Sequence, residues 1–229
     1  MESSKVTIWK AALDLFDEET LMRFQGPGED EERARLRFPH LRRRALGRRA
    51  ALRDLLARRL GVAPAEVRFT RNEWGKLATA DVHFNVSSSG EIALLVLSKR
   101  GPIGIDIERE RPDWEWGEII DIIGTEEERH FIRALPPVER AKSVLRLWVA
   151  KEAVVKADGR GLSLNVTEID ARVVARPGAG RVKLAQEYHV LAFDPCPFHV
   201  AAVAASFPIS GVTIETWEPR PYFRDSTAC

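Results

Sequence analysis

The sequence predicts an α+β protein, and two features of its pattern indicate this class. Helical periodicity dominates residues 41 to 60 and 114 to 158, whereas short β-rich runs occupy the stretch between them and most of the chain after them. Helices and strands that occur in separate blocks are typical of α+β proteins. The 229 residues are 45% hydrophobic and 30% charged, an ordinary balance for a globular chain with a real core.

The first predicted element is an amphipathic helix. Leucines recur at helical spacing through residues 41 to 60, arginines fill the other faces, and Gly61 follows as a stop. A turn is predicted next, at residues 72 to 76. Three β-rich runs separated by glycine-containing turns then predict consecutive strands at residues 81 to 86, 92 to 98 and 103 to 108.

The rest of the chain is predicted to form helices and then strands. Residues 114 to 158 are expected to be helical, with breaks at residues 124 to 125 and 136 to 137 and with Gly159 as the end. The last helical piece is expected at about residues 138 to 157. Further strands are predicted at residues 168 to 174, 182 to 185, 188 to 193 and 199 to 206, before a tail around Pro219 and Pro221.

The order of elements predicts two similar-sized halves, residues 1 to 104 and 105 to 229. No linker separates them, so we expect one compact unit with its site in the cleft between the halves.

The composition argues against several classes of protein. No stretch approaches the roughly 18 to 20 uninterrupted apolar residues that a spanning helix needs, and the first residues lack the apolar region of a signal peptide. Cys196 and Cys229 are the only cysteines, too few for a disulfide framework or a cysteine-based zinc site. We therefore expect a cytoplasmic protein with no membrane partner.

Charge is segregated along the chain although the net charge is only +1. Residues 33 to 59 contain eleven arginines and one acidic residue, whereas residues 106 to 128 contain ten carboxylates and two arginines. Such a split suits an anionic ligand that also needs a metal, because arginines hold phosphates and carboxylates hold hard cations. Two solvated helical faces are the alternative interpretation.

Two acidic residues in the third predicted strand form the first candidate site. Side chains alternate along a strand, so Asp106 and Glu108 share one face, about 7 Å apart at their Cα atoms. Both could then engage one Mg²⁺ or Mn²⁺ ion. The alternative is a strand with one polar, solvated face.

The second candidate site lies in the last predicted helix. Glu152 and Lys156 are four residues apart and face the same way, whereas Lys151 points elsewhere. Glu152 could complete a set of metal-binding carboxylates, and Lys156 could contact a phosphate. An ordinary helical ion pair, worth about 0.3–0.5 kcal/mol, is the alternative.

Together these segments resemble a known signature. Gly104-Ile-Asp-Ile-Glu108, followed after about forty residues by Trp148-Val-Ala-Lys-Glu-Ala-Val-Val-Lys156, closely resembles the motif pair of the 4′-phosphopantetheinyl transferases. Four further motifs match the large, surfactin-synthetase-type branch, and the resemblance covers roughly residues 33 to 166. These motifs are Trp74-Gly75-Lys76, the run from Phe84 to Gly90, Thr125 with Glu128, and the run from Gly159 to Leu164.

The resemblance implies a fold, an activity and a set of partners. The fold would have two pseudo-symmetric α+β halves in one chain, acting as a monomer. The activity would be transfer of the 4′-phosphopantetheine arm of coenzyme A to a serine of an apo acyl or peptidyl carrier protein, with release of adenosine 3′,5′-bisphosphate. Asp106, Glu108 and Glu152 would hold Mg²⁺ (or Mn²⁺), and Lys156 would assist the leaving phosphate. The base would be Glu152 or a metal-bound water polarised beside it.

The resemblance also implies a coenzyme A-binding set. By position in the family pattern, the residues expected to contact coenzyme A are Arg43, Lys76, Ser87, Ser88, Asp106, Lys151 and Lys156. Ser88 stands where the family usually has histidine, so we expect a charge-assisted bond to a phosphate to be missing, with weaker binding or compensation by an arginine. Glu128 is expected to be a water-mediated neighbour of the metal or a plain surface acid.

Two alternative functions are left open. The arginine-rich helix could bind a nucleic acid, although Phe38 is the only aromatic residue within residues 33 to 59 and the carboxylates would then have no purpose. More seriously, the chain could be a catalytically impaired relative that still binds coenzyme A or a carrier protein. The presence of Asp106, Glu108, Glu152 and Lys156 favours the active enzyme, without nucleic acid as a partner.

Overall fold

A computed structural model describes residues 4–29, 36–111 and 114–219. The chain divides into two compact units, Met1–Lys10 with Phe69–Glu215 and Ala11–Arg68 with Thr216–Cys229. Both helices and sheets are present, which confirms the predicted α+β class. Within the described part of the chain, no helix combines the length and the apolar character that crossing a membrane requires. Pro221, in the predicted tail, lies outside the described residues.

Ten strands and five helices make up the regular structure of the described residues. The strands are β1 (Ser4–Ala12), β2 (Thr70–Arg71), β3 (Leu77–Ala78), β4 (His83–Ser89), β5 (Ile92–Ser98), β6 (Ile103–Arg109), β7 (Gly178–Lys183), β8 (Glu187–Cys196), β9 (His199–Ala205) and β10 (Ile209–Thr216). The helices are α1 (Glu18–Met22), α2 (Pro39–Leu60), α3 (Trp116–Ile123), α4 (Glu126–Ala134) and α5 (Pro137–Asp158).

Two four-stranded sheets form the centre of the first unit. Their strand orders are β10-β1-β5-β4 and β6-β9-β8-β7, and a short β2-β3 hairpin lies apart from them. One face of the second sheet joins side chains of β1 and β5 in a core that includes Ile8, Leu94, Ile105 and Val203. Its other face packs against the helices in a larger core around α5. This sheet is therefore covered on both faces, which explains why β9 is buried at every position.

Helices α3 to α5 begin and end where the sequence predicts. Thr125 caps α4 in a capping box with Glu128, and proline at the start of α5 is compatible with a first helical turn. Gly159 ends α5 in a left-handed conformation at φ 91°, which favours glycine. The predicted breaks at residues 124 to 125 and 136 to 137 are thus confirmed.

The strand predicted at residues 168 to 174 is wrong. This segment instead forms two 3₁₀ turns, Val166–Glu168 and Arg172–Val174. Asp170 accepts a hydrogen bond from the backbone N–H of Arg172 and also pairs with the Arg172 guanidinium. A short side chain that bonds the nearby backbone competes with a strand ladder, so the local bonds turn the chain here.

Helix α2 confirms the predicted arginine-rich helix and belongs to the second unit. Several of its arginines bond within that unit: the guanidinium of Arg53 is buried and donates to Glu29 and to the carbonyl oxygens of Pro64 and Val67. Asp54, also buried, accepts from the indole N–H of Trp217 at 2.8 Å. Part of the positive charge of this helix is therefore structural.

The predicted boundary between residues 104 and 105 falls inside strand β6, in the first unit. The division of the chain into two halves at that point stays a prediction.

Candidate active site

Strand β6 carries the two carboxylates that the sequence places on one face. Asp106 and Glu108 lie opposite Ala202 and Val200 of β9 in antiparallel register. Asp106 is only 3% exposed, whereas Glu108 keeps part of its surface in contact with solvent. A carboxylate as buried as Asp106 requires partners for its charge.

Gly104 allows helix α5 to pack directly on this strand. A Cβ atom at position 104 would lie 2.1 Å from the carbonyl oxygen of Ala153 and 2.4 Å from the amide nitrogen of Ala157. Only glycine therefore fits between the two backbones. The close approach brings Lys156 to β6, where its Nζ lies 2.5 Å from Asp106 Oδ1.

Gly104→Ala is expected to lower the free energy of unfolding by about 1–3 kcal/mol, because a methyl group at this point must push the α5 backbone away from β6. Urea denaturation measures this loss. Gly117→Ala in α3 is the matched control, since nothing lies within 4 Å of a Cβ at that position. The control should be neutral or slightly stabilising, because alanine is the better helix former. Equal stability of the two variants would contradict the close approach.

Alternate side chains of β4 reach across to the carboxylates. The hydroxyl of Ser87 donates to Asp106 Oδ1 at 2.6 Å, and the hydroxyl of Ser89 donates to Glu108 Oε2 at 2.9 Å. Lys156 Nζ in turn donates to Ser87 Oγ at 3.0 Å. Lys156 and Ser87 therefore share one oxygen of Asp106, and Ser89 holds one oxygen of Glu108.

Glu152 on α5 adds a third carboxylate to this electrostatic environment. Burial raises the pKa of Glu152, the negative charges of Asp106 and Glu108 raise it further, and Lys156 opposes them. Burial likewise raises the pKa of Glu108, which the hydrogen bond from Ser89 partly offsets. The site thus concentrates more negative charge than the Lys156 ammonium neutralises.

Glu152→Gln is expected to raise the melting temperature of the metal-free protein near neutral pH. A raised pKa means that folding favours the neutral carboxyl, so the ionised side chain costs folding free energy above that pKa. The gain should shrink as the pH falls through the pKa of Glu152, because the wild-type side chain then becomes neutral too. Thermal denaturation in EDTA over a range of pH measures it, and a pH-independent difference would contradict the electrostatic origin.

The donor atoms at this site suit a divalent cation. Asp106 Oδ2 is buried and has no hydrogen-bond partner within the described residues, so one carboxylate oxygen keeps its acceptor capacity. Carboxylate oxygens are the ligands that Mg²⁺ and Mn²⁺ prefer. Across residues 4–29, 36–111 and 114–219, however, no three His, Cys, Asp or Glu side chains already form a group that could hold a metal. The residues therefore fit the ion chemically without converging on one point.

Lys76 and its turn attach to the C-terminal end of α5. Lys76 Nζ donates to the carbonyl oxygen of Lys156, and Asn72 Nδ2 donates to that of Gly159 at 3.0 Å. A lysine at this position satisfies a free carbonyl and complements the helix dipole. Beside the turn lies a cavity of about 210 Å³, whose lining includes Lys76, His83 and Asp158. Burial lowers the pKa of Lys76, which Asp158 opposes.

Lys151 does not face the carboxylates of β6. It is fully buried, pairs with Glu128 Oε2 at 2.6 Å, and donates to the carbonyl oxygens of Ile123 and Val166. Burial lowers the pKa of Lys151, and Glu128 raises it. All three donors of the ammonium are occupied by groups of the protein. The contact with coenzyme A predicted for Lys151 stays a prediction.

Glu128 also differs from expectation. The Glu128 side chain is fully buried. It accepts hydrogen bonds from the backbone N–H groups of Thr125 and Ala171, and it forms the ion pair with Lys151. The interpretation of Glu128 as a surface acid is therefore wrong, because the capping box turns its side chain into the core. A water-mediated contact of Glu128 with the metal stays a prediction.

Two more of the residues predicted to contact coenzyme A are Arg43 and Ser88. Arg43 belongs to the second unit, where its guanidinium donates to the carbonyl oxygens of Asp14 and Phe16. Ser88 is partly exposed and lies on the face of β4 opposite to Ser87 and Ser89. Coenzyme A binding by either residue stays a prediction.

Asn85 and Ser89 also bond across to β6, although the sequence motifs predicted no site role for either residue. Asn85 Oδ1 accepts from the backbone N–H of Ile105 at 2.9 Å, parallel to the bonds from the two serines. A signal was present, because polar side chains at positions 85, 87 and 89 follow the two-residue period of a strand face.

Comparison with known proteins identifies the class of this site. The model of the 4′-phosphopantetheinyl transferase superfamily matches residues 102–198, a segment that contains both β6 and α5. The 4′-phosphopantetheinyl transferase HetI of Nostoc sp. is 31% identical over 213 residues, which cover 89% of this chain and 89% of that protein. Sfp of Bacillus subtilis is 27% identical over 198 residues (84% and 87%), and AcpT of Salmonella typhimurium is 29% identical over 146 residues (64% and 75%).

The fold and these matches define the chain as a transferase. It belongs to the 4′-phosphopantetheinyl transferase family.

Proposed function

We propose that this chain transfers the 4′-phosphopantetheine arm of coenzyme A to a serine hydroxyl of an apo acyl or peptidyl carrier protein, acting as a monomer. The observation that supports the proposal most strongly is the contact between Lys156 and Asp106, within an environment that Glu108 and Glu152 make negative. These four side chains lie in the segment that matches the family model.

The reaction is a displacement at phosphorus. The serine oxygen of the carrier forms a bond to the β-phosphorus of coenzyme A, and the bond from that phosphorus to the bridging oxygen breaks. The leaving group is adenosine 3′,5′-bisphosphate. Because the nucleophile belongs to the carrier, the enzyme needs a proton acceptor and positive charge rather than a nucleophile of its own.

Glu152 is the proposed acceptor of the serine proton. Burial and the neighbouring carboxylates raise the pKa of Glu152 in the metal-free protein, which supports this residue as the one that takes up a proton. Lys156 is the proposed partner of the leaving phosphate, since its ammonium is already held at the site by Asp106 and Ser87. General-base assistance is typically worth about 10²–10⁴-fold in rate.

Asp106, Glu108 and Glu152 are the residues that would hold Mg²⁺ or Mn²⁺. Among the described residues, Asp106 Oδ2 has no hydrogen-bond partner and could accept the ion. When bound, the ion would neutralise charge that develops on the pyrophosphate. The excess negative charge of the three carboxylates favours binding of a cation in addition to Lys156.

Lys76 is the proposed contact for the nucleotide part of coenzyme A. Its ammonium lines the cavity beside α5, and burial makes the charged form costly until an anion pairs with it. Arg43 and Ser88 are proposed as further contacts on the family pattern, with the neutral hydroxyl of Ser88 giving the weaker bond. Asp106 and Ser87 would contribute to coenzyme A binding indirectly, because both hold the ammonium of Lys156.

Intact-mass spectrometry of an apo carrier protein tests the proposal. The carrier is incubated with this protein, coenzyme A and Mg²⁺, beside a sample that contains EDTA. Covalent attachment of one phosphopantetheine group should add about 340 Da to the carrier in the first sample only. No gain on acyl and peptidyl carriers, with coenzyme A still bound, would support the catalytically impaired relative instead.

A further inference from the structure

We propose that Ser87 and Ser89 are positioning residues, each of which holds one oxygen of a β6 carboxylate and thereby directs the other oxygen toward the bound cation. This inference rests on the proposed function, because it assigns a purpose to the oxygens that the serines leave unoccupied.

The direction of the Ser87 hydroxyl is determined by its neighbours. Lys156 Nζ can only donate, and it lies 3.0 Å from Ser87 Oγ, so the serine proton points to Asp106 Oδ1 at 2.6 Å. Lys156 Nζ also donates to that oxygen. Two donors therefore hold Oδ1, whereas Oδ2 of the same carboxylate is buried and receives no hydrogen bond from any residue that the structure describes.

Ser89 repeats this arrangement one pleat further along the strand. The backbone N–H of Arg109 donates to Ser89 Oγ at 3.1 Å, so the hydroxyl proton points to Glu108 Oε2 at 2.9 Å. Ser89 is only 6% exposed, which protects the bond from competing water. Glu108 Oε1 receives no hydrogen bond from the described residues, so each carboxylate presents one held and one unoccupied oxygen.

The two serines are themselves held rigidly. Their strand pairs with β5 at Ser87↔Leu94 and Ser89↔Ile92, while β6 pairs with β9 in the other sheet. Strands β4 and β6 lie at facing edges of different sheets and share no backbone ladder. Side-chain bonds from positions 85, 87 and 89 take the place of that ladder, so the backbone that carries each hydroxyl is fixed by its own sheet.

A variant of Asn85 can distinguish a positioning role of the serines from a purely structural role. It bridges the same two strands, but Asn85 Oδ1 accepts its hydrogen bond from the backbone N–H of Ile105 and not from a group that holds a carboxylate. Asn85→Ala should therefore weaken the bridge between the sheets while leaving both carboxylates oriented. It is the matched control for Ser87→Ala and Ser89→Ala.

The test is direct binding of Mn²⁺ to the full-length protein, followed by electron paramagnetic resonance without coenzyme A or carrier. Ser87→Ala and Ser89→Ala should each weaken Mn²⁺ binding by about 10–100-fold, the usual cost of losing a group that orients a metal ligand. Ser89→Thr keeps the hydroxyl and should restore binding. Asn85→Ala should lower stability in urea and bind Mn²⁺ as the wild type does. In transfer assays Ser89→Ala, which changes no proposed contact with coenzyme A, should lose kcat while KM for coenzyme A changes little.

Wild-type Mn²⁺ affinity in both alanine variants, or an equal loss in Asn85→Ala, would overturn the positioning role, as would failure of the wild-type protein to bind Mn²⁺. Failure of the proposed function has a different signature. In that case the wild-type protein binds Mn²⁺, the serine variants bind it more weakly, and no carrier gains mass.

Discussion

Asp106→Asn is expected to lower the rate of phosphopantetheine transfer by about 10³-fold, because it removes the charge at the centre of the site. The amide has nearly the same shape and can still accept the hydrogen bond from Ser87, but it cannot pair with the Lys156 ammonium. It also replaces one of the anionic oxygens proposed to hold the metal. The fold should persist, since the variant introduces no cavity.

The rate is measured as mass gain of an apo carrier against time, with urea denaturation in parallel. Asp194→Asn is the matched control in the same unit, because Asp194 is 39% exposed and its ion pairs are with Lys142 and Arg146 rather than with Lys156. The control should transfer at nearly the wild-type rate. A rate close to wild type in Asp106→Asn itself would overturn the assignment of this carboxylate.

Lys151→Met is expected to lower the free energy of unfolding by about 3–5 kcal/mol, because it leaves the Glu128 carboxylate uncompensated in the core. Both side chains of the pair are 0% exposed, so water cannot take the place of the lost ammonium. Methionine fills a similar volume, which separates the electrostatic loss from a cavity. Urea denaturation measures the change.

Two further variants test whether the loss of stability comes from the unpaired charge of Glu128. Lys142→Met removes a lysine that is 36% exposed, and it should cost about 1 kcal/mol or less. Glu128→Gln combined with Lys151→Met removes both charges and should recover part of the loss. If Lys151 instead served coenzyme A, Lys151→Met would keep its stability and raise KM for coenzyme A.

Most helices and strands could be predicted from local signals. The breaks between α3, α4 and α5 are marked by glycine, a capping threonine and prolines, all of which act within a few residues of themselves. Strands β1 and β10 were missed, because they complete a sheet of order β10-β1-β5-β4 whose neighbours are far apart in sequence. Residues 168 to 174 were predicted wrongly, because the bond from Arg172 to Asp170 turns the chain despite its apolar pattern.

The candidate site could be predicted in part. Strand alternation is enough to place Asp106 and Glu108 on one face, and helical spacing is enough to place Glu152 beside Lys156. Neither rule predicts that these two pairs meet. That contact depends on the backbone packing at Gly104, which brings the last turns of α5 onto β6.

The sequence by itself therefore determined the class of the protein, its main elements and the side chains that carry its chemistry, because each of these depends on short-range periodicity or on a motif. Helical spacing already separates Lys151 from Lys156, but only the tertiary structure decided which partner each lysine contacts. Lys151 and Lys156 are both in α5, yet one is buried against Glu128 and the other reaches Asp106. Packing makes this choice, because the sheet covers one side of the helix and α3 and α4 cover another, and a residue's environment depends on the neighbours that folding places around it.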